Sequence, residues 1–578
     1  MRTKRSRARI SVAVMIVFAI VAVFVVRLVD IQLVQADELN AESRDKRGQS
    51  QTVYGERGNI VDANGAVLAE SVLRYDVTAS PRVALGATDA AISVPADLAR
   101  IAAITGQDPN AMYAAFAADP TSDFAYLTKG VTFDVFEKID ALDISWVIVT
   151  RTPGRTYPNG EIAGNLVGFL QNDGVPIAGV ELSADQCLAS ANGTIAYEKG
   201  EDGTALPGSE VTTEQPKNGG TVRLTIDRDL QFSVQQRIEQ TAMELGATWA
   251  TAVVIRISDA HLMAVADWPT IDPNTVHDGP PDAATGSRAF STPYEPGSTM
   301  KALTAASLVD AGAATPQTGV VVPYSLPQPD GTSIHDAFYH DTENLTLAGA
   351  LVESSNVAVA KFSDMLPAQN RHDYMAAFGL GEHTEVNFTG ESSGDLPDAD
   401  QWFGRSNYSV QYGQGMTATS VQMASVFQTI GNGGLRMPVT LVDGCEHPDG
   451  TVTDLPSTEG RQVIAPSSAN QTVAMMEQVA NKSGSAPKLQ IPGYRTAVKS
   501  GTAEVAENGE YGGKVVISYA GVAPADNPQY AVVVTAGIPD SVYSGLIAPT
   551  WRDVMAQTLT TFRVPPSTSP APDLPVNW

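Results

Sequence analysis

The sequence predicts an α+β protein that carries one membrane-spanning helix at its N-terminus. An apolar run over residues 10–26 is the strongest signal, because it is long enough to cross a bilayer together with the next few residues. A helical pattern over residues 230–245 and runs of β-forming residues over 515–521 and 530–535 indicate that helices and strands are mixed in the rest of the chain.

The N-terminal segment has the features of a retained membrane anchor. Five basic residues precede the apolar run, whose only polar residue is Ser11, and this placement of charge predicts a cytoplasmic N-terminus. A cleaved signal peptide is the alternative, but the run is too long for most such peptides and no clear A-x-A site follows it. We therefore predict a cytoplasmic tail over residues 1–9, a transmembrane anchor over 10–29 and a polar stalk over 30–50.

The part of the chain beyond the anchor is too long for one ordinary domain. Short strand patterns and the hairpin turn Asn64-Gly65 favour a first α+β domain over residues 51–215. The turn-rich segment 217–220 marks a boundary, and residues 221–563 then form a second domain that opens with a helix and two strands. The Pro-rich residues 564–578 predict a disordered tail.

Composition excludes some partners and cofactors. The net charge is −27, so a nucleic-acid partner, which needs cationic patches, is not expected; the charge keeps an exported protein soluble. Cys187 and Cys445 fall in different predicted domains, and we do not expect them to form a structural disulfide. His335 and His340 lie five residues apart, on different faces of a helix, and we expect structural or solvated roles for them rather than metal binding. No metal or other cofactor is expected.

Three short motifs point to the chemistry of the chain. They are Ser298-Thr299-Met300-Lys301, Ser354-Ser355-Asn356 and Lys499-Ser500-Gly501-Thr502. In this order they form the S-x-x-K, S-x-N and K-[ST]-G set of acyl-serine enzymes. A serine needs a nearby base to become a nucleophile, and residues three apart share one face of a helix. A lysine can act as that base only if its pKa is lowered, as burial does.

Each motif also occurs elsewhere in the sequence, so the surrounding residues must indicate which copy is functional. The further copies are Ser43 to Lys46, Ser485 to Lys488, Ser190 to Asn192, Ser468 to Asn470 and Lys482 to Gly484. Ser298 follows Pro296-Gly297 and opens a helical pattern over residues 302–309, and the free N–H groups at a helix start suit a developing oxyanion. Pro487 disfavours a regular helix in the Ser485 copy.

The third motif also has suitable surroundings. Lys499 follows a strand-like run over residues 494–498, and a glycine on a strand, here Gly501, permits the backbone of a substrate to come close. The Lys482 copy lies in the segment 480–487, which is typical of a loop.

With these motifs the chain resembles the class B penicillin-binding proteins, which are membrane-anchored D,D-transpeptidases of cell-wall synthesis. The resemblance covers nearly the whole chain and extends to segments outside the three motifs. These segments are residues 57–69, 155–160, 168–169, 179–181, 224–227, 412–415 and 432–434. Ala63 stands where the family usually has arginine.

The resemblance implies a fold and partners. It implies a transpeptidase domain over residues 221–563, built as an antiparallel sheet flanked by helices with an all-helical subdomain that carries S-x-N, and an elongated pedestal of the dimerisation type over 51–215. It further implies peptidoglycan stem peptides as substrates, β-lactam antibiotics as covalent ligands, and a polytopic membrane glycosyltransferase and divisome proteins as partners. The length and the compact pedestal favour a septal enzyme over an elongation-type enzyme.

The resemblance also implies a role for each motif residue. Ser298 attacks the carbonyl between the two terminal D-alanines, Lys301 takes the serine proton and Ser354 relays a proton. Asn356 holds the donor peptide amide and helps to position Lys301. The substrate carboxylate binds at Lys499, Ser500, Gly501 and Thr502, and the backbone N–H groups of Ser298 and Thr502 form the oxyanion hole.

Two other function classes remain open at this stage. A serine β-lactamase needs a base that activates water for deacylation, and the sequence does not plainly show one. A non-enzymatic scaffold or β-lactam sensor would keep the fold without the chemistry, yet all three motifs are intact.

Within the pedestal, Arg57, Gly58, Asp62 and Arg155 match family segments. They serve either to dock a membrane partner or to hold the pedestal's own fold.

Overall fold

The computed structural model describes residues 2–35, 48–86, 93–171, 173–199, 206–276, 286–507, 510–540 and 542–578. The chain divides into two compact units. One comprises residues 1–56 and 190–218, and the other comprises residues 57–189 and 219–578. The predicted pedestal segment therefore contributes to both units.

The first unit contains the predicted anchor. Helix α1 (Arg2–Val29) continues into a π-helical turn, Asp30–Val34. The segment Arg7–Val34 is long and apolar enough to cross a membrane, and its apolar side chains are exposed, as a lipid-facing helix requires. The same unit has a three-stranded antiparallel sheet made of Gly48–Val53, Gly193–Glu198 and Val211–Glu214.

In the second unit, a seven-stranded sheet joins segments from both predicted domains. Its strands are, in spatial order, Val452–Thr453, Val442–Glu446, Thr221–Leu224, Ile60–Val61, Val67–Ala79 and Ala125–Val131, with Val147–Thr156 also paired to Val67–Ala79. The helices that accompany it are Pro81–Leu85, Val94–Thr105, Pro109–Phe116, Phe133–Asp140, Gly164–Val167, Gly179–Ser183 and Asp185–Leu188. Gly58 must lack a side chain here, because a Cβ would lie 1.7 Å from the carbonyl oxygen of Gly220.

The second sheet of this unit is the predicted antiparallel sheet. Its strands are β1 (Trp249–Arg256), β2 (Leu262–Trp268), β3 (Ala497–Glu507), β4 (Glu510–Ala523) and β5 (Tyr530–Ile538), in the spatial order β2-β1-β5-β4-β3. Every pairing is antiparallel. All nine residues of β5 are buried, because helices cover both faces of the sheet.

The two faces of the sheet belong to two cores. Helices α2 (Arg228–Leu245) and α8 (Ala548–Thr561) pack on one face, where Val532 and Val534 of β5 join the same core as Trp551. On the other face, Val533 joins the core of α6 (Ser420–Gly431). Successive strand residues point to opposite faces, so a continuous run of β-branched residues is what a doubly covered strand needs.

The chain between β2 and β3 forms the mainly helical part. Its longer helices are α3 (Met300–Asp310), α4 (Leu347–Val352), α5 (Asn356–Ser363), Ala368–Ala377, α6 and α7 (Pro466–Lys482). Short helices are Arg288–Ser291, Gly297–Thr299, Ala399–Gln401, Ser406–Ser409, Val410–Tyr412 and Ala486–Leu489, and the short helix Ser544–Leu546 follows β5. Short strand pairs are Gly319–Val322 with Glu343–Thr346, Ser325–Pro327 with Ser333–His335, and Leu435–Arg436 with Arg461–Gln462.

The structure corrects the prediction for the cysteines. Cys187 and Cys445 form a disulfide with a Cα–Cα distance of 6.1 Å. The prediction was wrong because it assumed that the two residues lie in separate domains. The seven-stranded sheet brings the two segments together, and Gly220 N–H donates to the Cys187 carbonyl at 2.8 Å.

The structure also corrects the prediction of a disordered tail. Residues 564–578 pack along the second unit, and Thr346 Oγ1 donates to the Pro575 carbonyl at 2.6 Å. Gln478 Nε2 donates to the Pro572 carbonyl at 2.8 Å, and Trp578 Nε1 donates to Val320 O at 3.3 Å. Proline lacks an N–H but keeps its carbonyl as an acceptor, so a Pro-rich segment can be held through its carbonyl groups.

Arg57 and Arg155 of the pedestal belong to a buried ion cluster. Glu181 is fully buried and accepts from Arg57 Nε and from Arg155 Nε, each at 2.7 Å. Arg57 also pairs with Asp185, and Arg155 Nη1 donates to the Gly58 carbonyl at 2.8 Å. Both arginines are thus engaged inside the domain, which supports the fold-holding alternative over docking of a partner.

Asp62 has a local structural role of the same kind. One carboxylate oxygen accepts from the N–H groups of Asn64 and Ala66, and the other accepts from Arg228 N–H at the start of α2 at 3.0 Å.

We expect Glu181→Ala to destabilise the protein by about 3–5 kcal/mol, because it leaves the buried guanidinium group of Arg155 without its carboxylate partner and Arg57 with Asp185 alone. Thermal unfolding of the full chain measures the change. Glu137→Ala is the matched control, since Glu137 is exposed on the helix Phe133–Asp140, and it should stay within about 0.5 kcal/mol of the parent. A melting temperature of Glu181→Ala equal to that of the control would contradict a structural role for the cluster.

Candidate active site

Ser298 lies at the start of a helix, as predicted. It belongs to the short 3-10 helix Gly297–Thr299, which continues directly into α3, and its side chain is half-buried. Gly297 has a φ of 58°, and a Cβ there would lie 2.7 Å from the carbonyl oxygen of Thr502. Glycine therefore allows the backbone before Ser298 to approach strand β3 closely.

Lys301 is fully buried in the first turn of α3. Its Nζ donates to Asn356 Oδ1 at 2.7 Å, lies 3.5 Å from Ser354 Oγ and also contacts the Ser354 carbonyl oxygen. Burial lowers the pKa of Lys301 to about 7, although the nearby Asp336 carboxylate acts in the opposite direction. A buried ammonium group loses its hydration, so the neutral amine is favoured.

Ser354 lies between α4 and α5 with a φ of 55°. A left-handed backbone is unfavourable for a residue other than glycine, by about 1–3 kcal/mol, and such residues cluster at functional sites. This conformation places Ser354 Oγ within 3.0 Å of Lys499 Nζ. The second motif therefore joins the first motif to the third.

Lys499 is fully buried on β3. Its Nζ donates to Ser354 Oγ and to the Ser500 carbonyl at 3.1 Å, and it lies 3.4 Å from Ser500 Oγ. Burial, together with the charge of Lys301, holds the pKa of Lys499 well below its ordinary value. Because both lysines contact one hydroxyl in a buried site, they cannot both be charged without a large cost.

The rest of the third motif borders Ser298. Ser500 is half-buried and Thr502 is exposed. A Cβ on Gly501 would lie 2.4 Å from Ser518 Oγ and 2.6 Å from the Pro296 carbonyl oxygen. The glycine is therefore needed for packing against the turn before Ser298, a reason that differs from the predicted approach of a substrate backbone.

Sequence reasoning missed Asp336. Its buried carboxylate accepts from the N–H groups of Asn356 and Val357, at 2.5 and 3.0 Å, and from Ser355 Oγ at 2.7 Å. These are the first residues of α5 and its N-cap, so Asp336 fixes the helix start that carries Asn356. The nearest sequence signal is an aspartate directly after His335, and nothing in the local pattern links it to a motif 18 residues away.

Lys482 and Lys488, the lysines of two further motif copies, bind groups outside this cluster. Lys482 ends helix α7 rather than lying in the predicted loop, and its Nζ pairs with Asp573 at 2.6 Å. Lys488 Nζ donates to the Gly545 carbonyl at 3.1 Å. Ser468 is inside α7, the copy at 190–192 belongs to the first unit, and the copy at 43–46 lies outside the described residues.

Residues 250–556 match the penicillin binding protein transpeptidase domain, and residues 52–224 match the penicillin-binding protein dimerisation domain. The chain belongs to the class B penicillin-binding proteins. Its fold is accordingly the penicillin-binding transpeptidase fold, as the resemblance implied, and its N-terminal apolar helix fits membrane anchoring.

Relatives of this penicillin-binding protein align over almost their whole length. Penicillin-binding protein PbpB of Mycolicibacterium smegmatis is 31% identical, over 96% of this chain and 91% of the relative. Peptidoglycan D,D-transpeptidase FtsI of Escherichia coli is 30% identical, over 93% and 89%. The crystal structure of penicillin binding protein 3 from Mycobacterium tuberculosis, complexed with aztreonam, superposes with a TM-score of 0.71 at 26% identity, over 91% of this chain and 100% of that one.

Proposed function

We propose that this protein is a peptidoglycan D,D-transpeptidase that works through an acyl-enzyme on Ser298. The observation that carries the proposal is the position of Ser354 Oγ between Nζ of Lys301 and Nζ of Lys499, next to the helix that Ser298 opens. The lowered pKa of Lys301, about 7, provides a neutral amine at physiological pH. This is the property that a base for a serine hydroxyl requires.

In the first half of the reaction, Ser298 Oγ attacks the carbonyl carbon between the two terminal D-alanines of a stem peptide. The hydroxyl proton moves to Lys301 Nζ, and an ester forms between Ser298 and the penultimate D-alanine. The peptide C–N bond breaks, and the departing amine receives a proton through Ser354 Oγ, which contacts both lysines. D-Alanine leaves and the acyl-enzyme remains.

In the second half, an amine of another stem peptide attacks the ester carbonyl. Its N–H proton returns through Lys301 to Ser298 Oγ as the ester C–O bond breaks, and the new amide is the crosslink. The backbone N–H groups of Ser298 and Thr502 would stabilise the oxyanion in both halves. The close backbone approach of residues 297 and 502 supports this pairing.

The third motif provides the binding site for the substrate carboxylate. Lys499, Ser500 and Thr502 offer one ammonium and two hydroxyl groups along one strand, and Gly501 keeps that strand close to Ser298. A carboxylate that approaches Lys499 favours its charged form, since an opposite charge raises the pKa of a lysine. Binding of the substrate would therefore charge Lys499 while Lys301 stays neutral. Asn356, already bonded to Lys301, would hold the donor peptide amide.

We place this chemistry at the division septum, with the N-terminus in the cytoplasm and the second unit outside the membrane. The five basic residues before the apolar run support this orientation. Near full-length alignment to FtsI of Escherichia coli supports the septal assignment over an elongation-type enzyme. A polytopic membrane glycosyltransferase and divisome proteins are the partners, and β-lactams the covalent ligands. Depletion of a septal enzyme produces filamentous cells, whereas depletion of an elongation-type enzyme produces round cells.

Fluorescent penicillin tests the proposal on the full chain in detergent. We expect one molecule of penicillin to bind covalently to each protein chain. The label should persist for much longer than the time that acylation takes. Rapid loss of the label with turnover of free penicillin would identify a β-lactamase, and the absence of any label would identify a non-enzymatic scaffold.

A further inference from the structure

His340 lies between two hydrogen-bond acceptors beside the candidate active site. Its Nε2 is 3.0 Å from Asp336 Oδ2, and its Nδ1 is 2.7 Å from the Asp341 carbonyl oxygen. A carbonyl oxygen can only accept a hydrogen bond, and Asp336 Oδ2 already acts as an acceptor, for Ser355 Oγ. Both contacts are satisfied only when both ring nitrogens carry a proton, that is, when His340 is an imidazolium.

Asp336 connects this imidazolium to the second motif. Its carboxylate accepts from Ser355 Oγ and from the N–H groups at the start of α5. Asn356, the first residue of that helix, accepts from Lys301 Nζ at 2.7 Å and donates from Nδ2 to the His335 carbonyl at 3.1 Å. A continuous chain of contacts thus runs from His340 through Asp336 and Asn356 to Lys301.

Several titratable groups face Asp336 and His340 and influence their charges. The Asp336 carboxylate favours the charged form of Lys301. A cation that contacts this carboxylate, as protonated His340 does, weakens that influence. On the His340 side lie Glu343, whose Oε2 is 3.9 Å from Nδ1, Glu353 and the ring of Tyr324. On the other side Asp336 faces Lys301 and Tyr412.

We propose that His340 is a positioning residue of this site: its imidazolium holds Asp336 against the start of helix α5 and keeps Asn356 in contact with Lys301. The inference rests on the proposed function, because it assigns Lys301 as the base. It adds a residue outside the three motifs whose protonation supports acylation.

The proposal predicts a pH dependence. Burial lowers the pKa of His340, but its hydrogen bonds to Asp341 and Asp336 and the charges of Asp336 and Glu343 outweigh burial and raise it above its ordinary value. The stabilisation that protonated His340 gives through these contacts is complete below the ordinary pKa of histidine. It is lost as the pH rises through the raised pKa of His340. Acylation should therefore rise as Lys301 loses its proton, near pH 7, and fall again as His340 loses its own.

The pH–rate profile of penicillin acylation, measured on the full chain, tests the inference. In His340→Gln we expect the rising, acidic side of the profile to shift to higher pH by on the order of one pH unit, so that acylation at pH 7 slows about fivefold. We also expect the fall in the acylation rate at alkaline pH to disappear. His340→Arg keeps a permanent cation with several donors and should restore the acidic limb without an alkaline fall. His383→Gln is the control, since His383 is an exposed histidine outside this chain of contacts.

A His340→Gln profile that superposes on that of the parent overturns the inference. If that variant does not fold, NMR of labelled histidines in the parent decides the question. A His340 pKa above its ordinary value of about 6.5 supports the inference, and a pKa at or below it overturns the inference. Undiminished labelling of Ser298→Ala would refute the proposed function itself, whereas loss of that labelling together with an unchanged His340→Gln profile would refute only the role of His340.

Discussion

The Ser298→Ala variant is expected to fold normally and to take up no penicillin label. The substitution removes the hydroxyl oxygen that forms the ester in the proposed mechanism. Alanine is a good helix former, and Thr299 Oγ1 still donates to the Pro296 carbonyl to close the turn. The free energy of unfolding should therefore change by less than about 0.5 kcal/mol. In-gel fluorescence after incubation with labelled penicillin measures the label, and thermal unfolding measures the fold.

Ser485→Ala is the matched control for this experiment. Ser485 begins the only other S-x-x-K copy among the described residues, and it precedes the short helix Ala486–Leu489. This variant should label at the parent rate. If Ser298→Ala labels and Ser485→Ala does not, the nucleophile has been assigned to the wrong copy.

Lys301→Ala is expected to acylate at least about 10²-fold more slowly than the parent, which is the usual loss on removal of a general base. In the parent, the acylation rate should increase with pH through about 7, because burial lowers the pKa of Lys301 and only the neutral amine accepts a proton. The variant should lack this rise. Stopped-flow measurement of acylation between pH 5.5 and 8.5 (roughly the range over which such a group titrates) gives both results.

The buried position of Lys301 calls for a second variant. Lys301→Met keeps most of the side-chain volume but has no amine, so it separates loss of the base from loss of packing. It should acylate as slowly as Lys301→Ala and melt closer to the parent. Parent-like acylation in Lys301→Met would rule out Lys301 as the base.

Lys499 and Lys482 offer a comparison of two K-S-G copies. Lys499→Ala removes the buried ammonium group that contacts Ser354 and should slow acylation strongly. Lys482→Ala removes a partly exposed pair with Asp573 and a hydrogen bond to the Leu574 carbonyl, and acylation should remain near the parent rate. The reverse result would show that Lys482, and not Lys499, belongs to the functional K-S-G motif.

Local sequence patterns could predict the elements that carry the site. Pro296-Gly297 before an alanine-rich run indicated the helix start at Ser298, and the β-rich run before Lys499 indicated strand β3; both are confirmed. The helix over residues 230–245 also appears within two residues of its predicted bounds, and the two strands predicted after it are present. Each of these features depends on residues close together in the sequence.

The features that could not be predicted depend on contacts between distant segments. The Cys187–Cys445 disulfide spans 258 positions, and it forms because strands from two predicted domains share one sheet. The C-terminal segment is ordered by carbonyl groups that accept from Thr346 and Gln478, which a Pro-rich composition does not reveal. Asp336 likewise has no local pattern, because its partners are backbone N–H groups at the start of a helix further along the chain.

The central claim is that Ser298 forms the acyl-enzyme. The most direct test is to saturate the full chain with penicillin, digest it with protease and locate the added mass by tandem mass spectrometry. The account predicts one modified peptide, with the penicilloyl group on Ser298. A penicilloyl group on Ser485 or on Ser354, with Ser298 unmodified, would contradict it.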